Sequence, residues 1–317
     1  MTSEPGNDRN AAPGRPRTFV SSGFITVDVM IDGSVSASPG GTATNVARAL
    51  QTHGWSTRVA GTVGNDPAGR FLKEELAHDG VDVSSLHLNQ AWTTPVVVQE
   101  ESRGDHEWRF SCPVCGAKFA KHRPANEATA NALAHNTEAP DVFFFDRVSL
   151  FTLALAATWA KLGTYIVFEP AALGRPHLFE RALHIADLVK FSAERAPSFY
   201  NQLESSSASI VETLGPSGAR LKAAGSDSWL HVEATQVEGL VDTAGAGDWT
   251  SAGLINALFD PPAGKDKFDL ERAVAAGQVL GARACTWKGV FPDALRPIQR
   301  GFEAFGCPRV LRETQVA

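Results

Sequence analysis

The chain has 317 residues, of which 43% are hydrophobic and 20% charged, with a formal net charge of −6. That balance excludes a disordered or membrane-embedded composition and describes an ordinary globular enzyme. The acidity weighs against general binding of nucleic acid or an anionic membrane surface, since neither polyanion is drawn to such a field. No apolar run approaches the ~20 residues that span a bilayer, and the first residues hold no apolar signal stretch, so a cytoplasmic location is expected. The length suits one large core with a small appendage. Four cysteines at unequal spacing do not make a disulfide framework.

In chain order, residues 1–17 are polar and lack periodicity, which predicts a disordered tail. Residues 19–28 read as one apolar strand that passes through Gly23 and ends on Asp28. After Gly40 and Gly41, the spacing of Ala43, Val46, Ala47 and Leu50 predicts a helix stopped by Gly54. A strand over 58–64 and a helix over 68–77 follow. The alternation resumes with strands at 142–145, 165–168 and 188–191 and helices at 150–162 and 178–185. Such a pattern predicts a mostly parallel sheet covered by helices, with ligands at the carboxyl ends of its strands. Between them, two β-like runs at 94–98 and 108–110 flank Ser102-Arg103-Gly104-Asp105 and predict a projecting hairpin. Further strands are expected at 209–215 and 229–232, and helices at 252–259 and 270–287.

Residues Asp242-Thr243-Ala244-Gly245-Ala246-Gly247-Asp248 form a small-residue loop ahead of a helical run. Small residues let backbone N–H groups approach an anion, and a helix start adds a positive dipole end. Phosphoryl transfer needs such donors and a carboxylate to take the acceptor's proton. A glycine-rich turn with an Asp capping a helix fits the same residues.

The segment Cys112-Pro113-Val114-Cys115-Gly116 is half of a zinc knuckle, in which two thiolates converge on a tetrahedral ion. His122, His106 or a second subunit's pair would complete the site. A redox pair and plain small residues at a loop edge are the competing readings. Lys118, Lys121, His122 and Arg123 form a basic run that is either a solvated face or a contact for an anionic substrate group.

Several ordered motifs together resemble the ribokinase-like superfamily and its PfkB carbohydrate kinases over nearly all of residues 18–305. They are Gly40-Gly41-Thr42-Ala43-Thr44-Asn45-Val46-Ala47, the stretch from Gly61 to Gly69, Thr213-Leu214-Gly215-Pro216-Ser217-Gly218-Ala219, and Val241 to Asp248 with Gly253. The resemblance implies a three-layer α/β/α fold with a mostly parallel central sheet and a small β lid. Its kinase domain would span 18–310, with lid segments at about 30–40 and 92–123 and a C-terminal tail over 311–317. It implies an ATP-dependent kinase acting on a hydroxyl of a small sugar or sugar-like substrate, with Asp248 as base and Gly245, Ala246 and Gly247 as anion hole. Asp28, Gly40, Gly41 and Asn45 match substrate-side positions, and Thr213, Gly215, Gly218 and Thr243 match nucleotide-side ones. ATP with Mg2+, and a monovalent cation, are the expected companions, beside a structural Zn2+ at the cysteines.

Two departures stand out. The family's Asn-x-x-Glu segment corresponds here to Lys190-Phe191-Ser192-Ala193-Glu194-Arg195, so Ser replaces Asn and Glu194 sits one position early. It reaches a metal through water or serves as a plain helix-start residue. The stretch from Met30 to Pro39 is short, which leaves most of the lid's cover to the hairpin. A nucleoside kinase, and a catalytically weak sensor on the kinase fold, remain the alternatives. A homodimer through the lid is a further expectation.

Overall fold

Residues 142–145 are fully buried and alternate between two apolar clusters, Val142 and Phe144 in one and Phe143 and Phe145 in the other. A strand buried on both faces needs helices on both sides, and each phenylalanine it buries contributes about 1.5–3 kcal/mol. The structure, a computed structural model, describes residues 15–102, 105–259, 269–299 and 301–311. The expected N-terminal tail lies outside these residues up to position 14, as do the C-terminal residues from 312 and the hairpin-turn residues Arg103 and Gly104.

The chain begins with β1 (Thr18–Ser22), β2 (Thr26–Ile31), β3 (Val35–Gly40), α1 (Thr42–Thr52), β4 (Ser56–Val59), β5 (Gly61–Gly64), α2 (Pro67–His78) and β6 (Leu86–Asn89). It continues through β7 (Val96–Ser102), β8 (Asp105–Arg109), α3 (Glu127–Asn136), β9 (Val142–Phe145), α4 (Leu150–Ala160), β10 (Tyr165–Phe168), α5 (Pro176–Ile185) and β11 (Leu188–Ser192). The last part holds β12 (Ser209–Thr213), β13 (Ala219–Lys222), β14 (Leu230–Val232), α6 (Ala246–Phe259), α7 (Leu270–Ala284), β15 (Arg296–Pro297) and α8 (Gly301–Gly306).

The main sheet has eight strands in the order β14-β13-β12-β11-β10-β9-β1-β4, parallel from β12 to β4 and antiparallel at β13 and β14. Residues from α1, α6 and α7 share the apolar cluster on one face, and residues from α3, α4 and α5 share that on the other. A second sheet of five strands runs β15-β3-β2-β7-β8, and β5 and β6 pair separately. The expected α/β/α layering and small extra sheet are both present.

Several expectations change in detail. Residues 19–28 are not one strand. Gly23 takes a φ of 148°, Phe24 donates its N–H to Asp146 Oδ1 at 2.8 Å, and the chain leaves the main sheet for the second one. Asp28 therefore lies within β2, opposite Ser38 of β3, rather than at a strand end. The 58–64 strand likewise divides between two sheets. Helix α6 starts at Ala246 because the small-residue loop itself winds into the first turn, and α7 stops at Ala284. The β7–β8 hairpin is present at the edge of the second sheet. It supplies two of the five strands: β2 stands at the centre between β3 and β7, and β15 joins from near the C-terminus.

Candidate active site

The carboxyl ends of the parallel strands lie along one edge of the main sheet, and the second sheet faces that edge across a cavity of about 860 Å³. Asp28, Asn45, Gly245 and Asp248 line it, together with Trp108, Phe110 and His122 from the far side. Four elements converge there because the chain crosses from β1 to β2, returns through β3 into α1, and later enters α6 beside α1.

Gly41 enables that return. Its φ of 88° is left-handed, and a Cβ on it would collide with the Phe24 carbonyl oxygen. Gly40 leaves room of another kind, for a Cβ there would land on the Asp28 carboxylate. One turn into α1, the Asn45 side chain donates Nδ2–H to Asp248 Oδ2 at 2.7 Å and fixes the carboxylate's orientation.

The loop before α6 is pinned by Asp242, whose oxygens accept from Ala244 N–H at 2.9 Å and Gly289 N–H at 2.8 Å. Gly245 is left-handed, with a φ of 76°, and a Cβ on it would stand 2.5 Å from Val290 Cγ1. Beneath the loop, Lys190 Nζ donates to Glu169 Oε1 at 2.8 Å and to the Gly247 carbonyl at 2.9 Å. Ser251 Oγ donates to Glu169 Oε2 at 2.5 Å. The first-turn N–H groups of α6 lack intrahelical acceptors and form a positive end at the cavity.

Burial raises Asp248 to about 6, with repulsion from Glu169 next, while Asn45, Lys190 and Thr42 hold it down. Asp28 is pushed up to about 7, first by burial and then by the charge of Asp248, with Arg48 opposing. Asp28 is half-buried in the cavity wall, and loss of water around its carboxylate there disfavours the charged form. With values of about 7 and about 6, Asp28 takes its proton before Asp248 as the pH falls. A value of about 6 leaves the Asp248 carboxylate largely ionised at neutral pH.

Residues 16–294 match the pfkB family of carbohydrate kinases. The chain belongs to that family. It is 30% identical to a fructokinase of Salmonella typhimurium over 84% of this chain and 92% of that one. It is 26% identical to the aminoimidazole riboside kinase of Salmonella typhimurium strain LT2, over 81% and 86% of the two chains. A Vibrio cholerae O395 fructokinase double mutant, solved with fructose, ADP and a potassium ion, superposes with a TM-score of 0.67 at 24% identity, covering 91% and 98% of the chains. As a pfkB kinase, this protein is an ATP-dependent phosphotransferase acting on an alcohol.

Within this pfkB kinase the expected residues divide into groups. Asp28, Gly41, Asn45, Gly245 and Asp248 come together at the cavity, Gly40 lies against the Asp28 carboxylate, and Ala246 and Gly247 begin the helix beside it. Thr243 is exposed, and its carbonyl accepts from Ala246 N–H at 3.2 Å. Thr213 lies outside the cavity, in register with Ser192 at the carboxyl end of β12, and its hydroxyl donates to the Phe191 carbonyl at 3.3 Å. Gly215 and Gly218 follow with φ of 58° and 90°, and a Cβ on Gly218 would collide with the Val232 carbonyl. Glu194 is exposed just beyond β11, next to Arg195, which lines the cavity.

His122 is not with the cysteines. It packs edge-on against Phe24, with ring centroids 6.5 Å apart, and lowered proton affinity, to about 4, follows from burial and then Arg147. The residue that joins Cys112 and Cys115 is Cys307. Burial pushes the Cys112 thiol up to about 11, while Cys115 is lowered to about 7, first by the Ala117 backbone N–H. The side chain of His106 lies outside the described residues.

Sequence reasoning also missed Glu169, Lys190 and Ser251. One signal for them was available: Lys190 interrupts the apolar run Leu188, Val189 and Phe191, where a buried charge needs a partner.

Proposed function

We propose that this chain phosphorylates a hydroxyl of a small sugar bound between Asp28 and Asp248, using ATP as donor. The observation that carries the reading is the Asn45–Asp248 pair at the mouth of α6, facing Asp28 across one cavity. Asp28 accepts hydrogen bonds from substrate hydroxyls, and Gly40 leaves its carboxylate free to do so. Asp248 takes the proton of the reacting hydroxyl as its oxygen bonds to the γ-phosphorus and the bond to the ADP oxygen breaks. The N–H groups at the start of α6 meet the charge spread over the phosphoryl oxygens.

Thr213, Gly215, Gly218 and Thr243 hold the nucleotide beyond that point. Their place suits it, since β12 ends one strand away from Lys190, which bonds the first turn of α6. Glu194 is an exposed carboxylate two residues after Ser192, the register partner of Thr213, and fits a water-mediated contact with Mg2+. Mg2+ bound with the nucleotide would neutralise phosphate charge, and a monovalent cation remains a family-level expectation.

Four cations line the cavity, Lys118 and Lys121 after the hairpin and Arg147 and Arg195 just beyond β9 and β11, with Arg147 paired to Asp146 at 2.7 Å. They favour an acceptor with an anionic group, a sugar acid or a sugar phosphate, over a neutral ketose. Trp108 and Phe110, exposed at the same cavity, support a nucleoside as the second reading, because a base stacks on such rings.

The test is ADP release with Mg·ATP against fructose, sugar acids, sugar phosphates and nucleosides. In the best substrate Asp248→Asn should lose about 10²–10⁴-fold in kcat while ATP still binds, because the amide keeps an oxygen for Asn45. A variant with kcat within about tenfold of wild type removes Asp248 as base. Retained output of a non-catalytic kind would favour the sensor reading.

A further inference from the structure

We propose that Cys112, Cys115 and Cys307 bind one zinc ion, which ties the C-terminal segment to the wall of the substrate cavity. The three sulfur atoms lie within 4.8 Å of one another although Cys307 is almost at the far end of the chain. Three thiolates on a tetrahedral ion at about 2.3 Å stand about 3.8 Å apart, so loading asks for movements of less than about 1 Å.

The local backbone has a thiolate-site form. Cys115 N–H donates to Cys112 Sγ at 3.4 Å, Gly116 N–H to the Cys112 carbonyl at 2.9 Å, and Cys112 N–H to the Ala117 carbonyl at 2.8 Å. Gly116 has a φ of 70° with open space around it, so the turn needs glycine for its conformation and not for room. Both sulfurs are thereby turned to one side of a tight turn.

Cys307 meets them from a segment positioned by its own packing. Phe302 of α8 stands edge-on to Phe119 at 5.9 Å, and Phe305 to Phe71 at 5.5 Å. Cys112 and Cys307 are buried and Cys115 is half-buried. A disulfide would use two of these sulfurs and strand the third, whereas all three are free thiols converging on a point. Soft, convergent thiolates select zinc over the oxygen-seeking cations of the kinase reaction.

Among the described residues the group holds three thiolate ligands, and a water or other small ligand would complete the tetrahedron. None of the three cysteines lines the cavity, but Phe110, Ser111, Lys118 and Phe119 around them do. The ion therefore braces the wall that selects the acceptor and takes no part in phosphoryl transfer.

The experiment is metal analysis of the full chain, purified under reducing conditions, loaded with zinc and dialysed. About one zinc per chain is expected, falling by more than about tenfold in Cys307→Ser and persisting in His122→Ala and Cys285→Ser. Should Cys307→Ser fail to fold, cobalt(II) titration of the wild-type chain replaces it. Thiolate-to-cobalt charge-transfer absorption at about one equivalent supports the site, and its absence overturns the proposal. Little zinc in the wild type, full zinc in Cys307→Ser, or a native disulfide between two of the three also overturns it. None of these readouts depends on kinase activity, so the site and the proposed reaction stand or fall separately.

Discussion

Replacing Lys190 by Met probes the support beneath the proposed anion hole. The ammonium is 3% exposed and its partner Glu169 is 5% exposed, so the substitution leaves a carboxylate buried with only the Ser251 hydroxyl and strips a donor from the Gly247 carbonyl. Removing one member of a buried pair costs about 3–5 kcal/mol, because the remaining charge has lost its compensation. With a urea m-value of about 3 kcal/mol per molar or more at this length, the unfolding midpoint should fall by about 1 M. Adding Glu169→Gln removes the stranded charge and should recover much of that loss. Lys190 also lowers the proton affinity of Asp248, so the acid limb of kcat should move above about 6 in Lys190→Met. The measurements are urea unfolding followed by tryptophan fluorescence and a pH–rate profile. A midpoint within about 0.2 M of wild type, with an unmoved limb, would refute the argument.

The cavity's carboxylates make a pH prediction whose sign follows from their directions. As the proposed base Asp248 must be unprotonated, so kcat should fall as the pH drops through about 6, while kcat/KM should begin to fall near 7 as Asp28 takes its proton. Asp28→Asn should abolish the upper step and leave the lower one; retention of both steps contradicts the assignment. Both groups bind protons more tightly folded than unfolded, from the ordinary 3.8 up to their raised values, so their contribution to stability declines as pH rises through that window. Gly40→Ala places a methyl group on the Asp28 carboxylate and should raise KM by about tenfold or more with a smaller effect on kcat. An unchanged KM would show that Asp28 does not hold the acceptor.

The legible parts of the site were the local ones. Gly245, Gly247 and Asp248 are neighbours in sequence, and the helix they open follows at once, so loop chemistry and apolar spacing pointed the same way. Asp28 was found, but its setting was not: apolar residues on both sides of Gly23 read as one strand and hide the corner there, which depends on Asp146 from beyond the distant β9. The Glu169–Lys190 pair bridges adjacent strands, a relation that no local spacing records. Cys307 lay beyond reach for the same reason, although Cys307-Pro308 repeats the start of Cys112-Pro113. Helix α3 escaped because it fully buries only Ala130 and its one larger apolar residue is Leu133, leaving no apolar stripe to read.

Because β1 belongs to one sheet and β2 to the other, Asp248 and Asp28 are carried on different bodies of secondary structure joined by Gly23, Phe24 and Ile25. Their separation is thus a mechanical coordinate. In the proposed reaction a polyol held between the two carboxylates would offer hydroxyl protons to both, so the acceptor itself would bridge the two sheets.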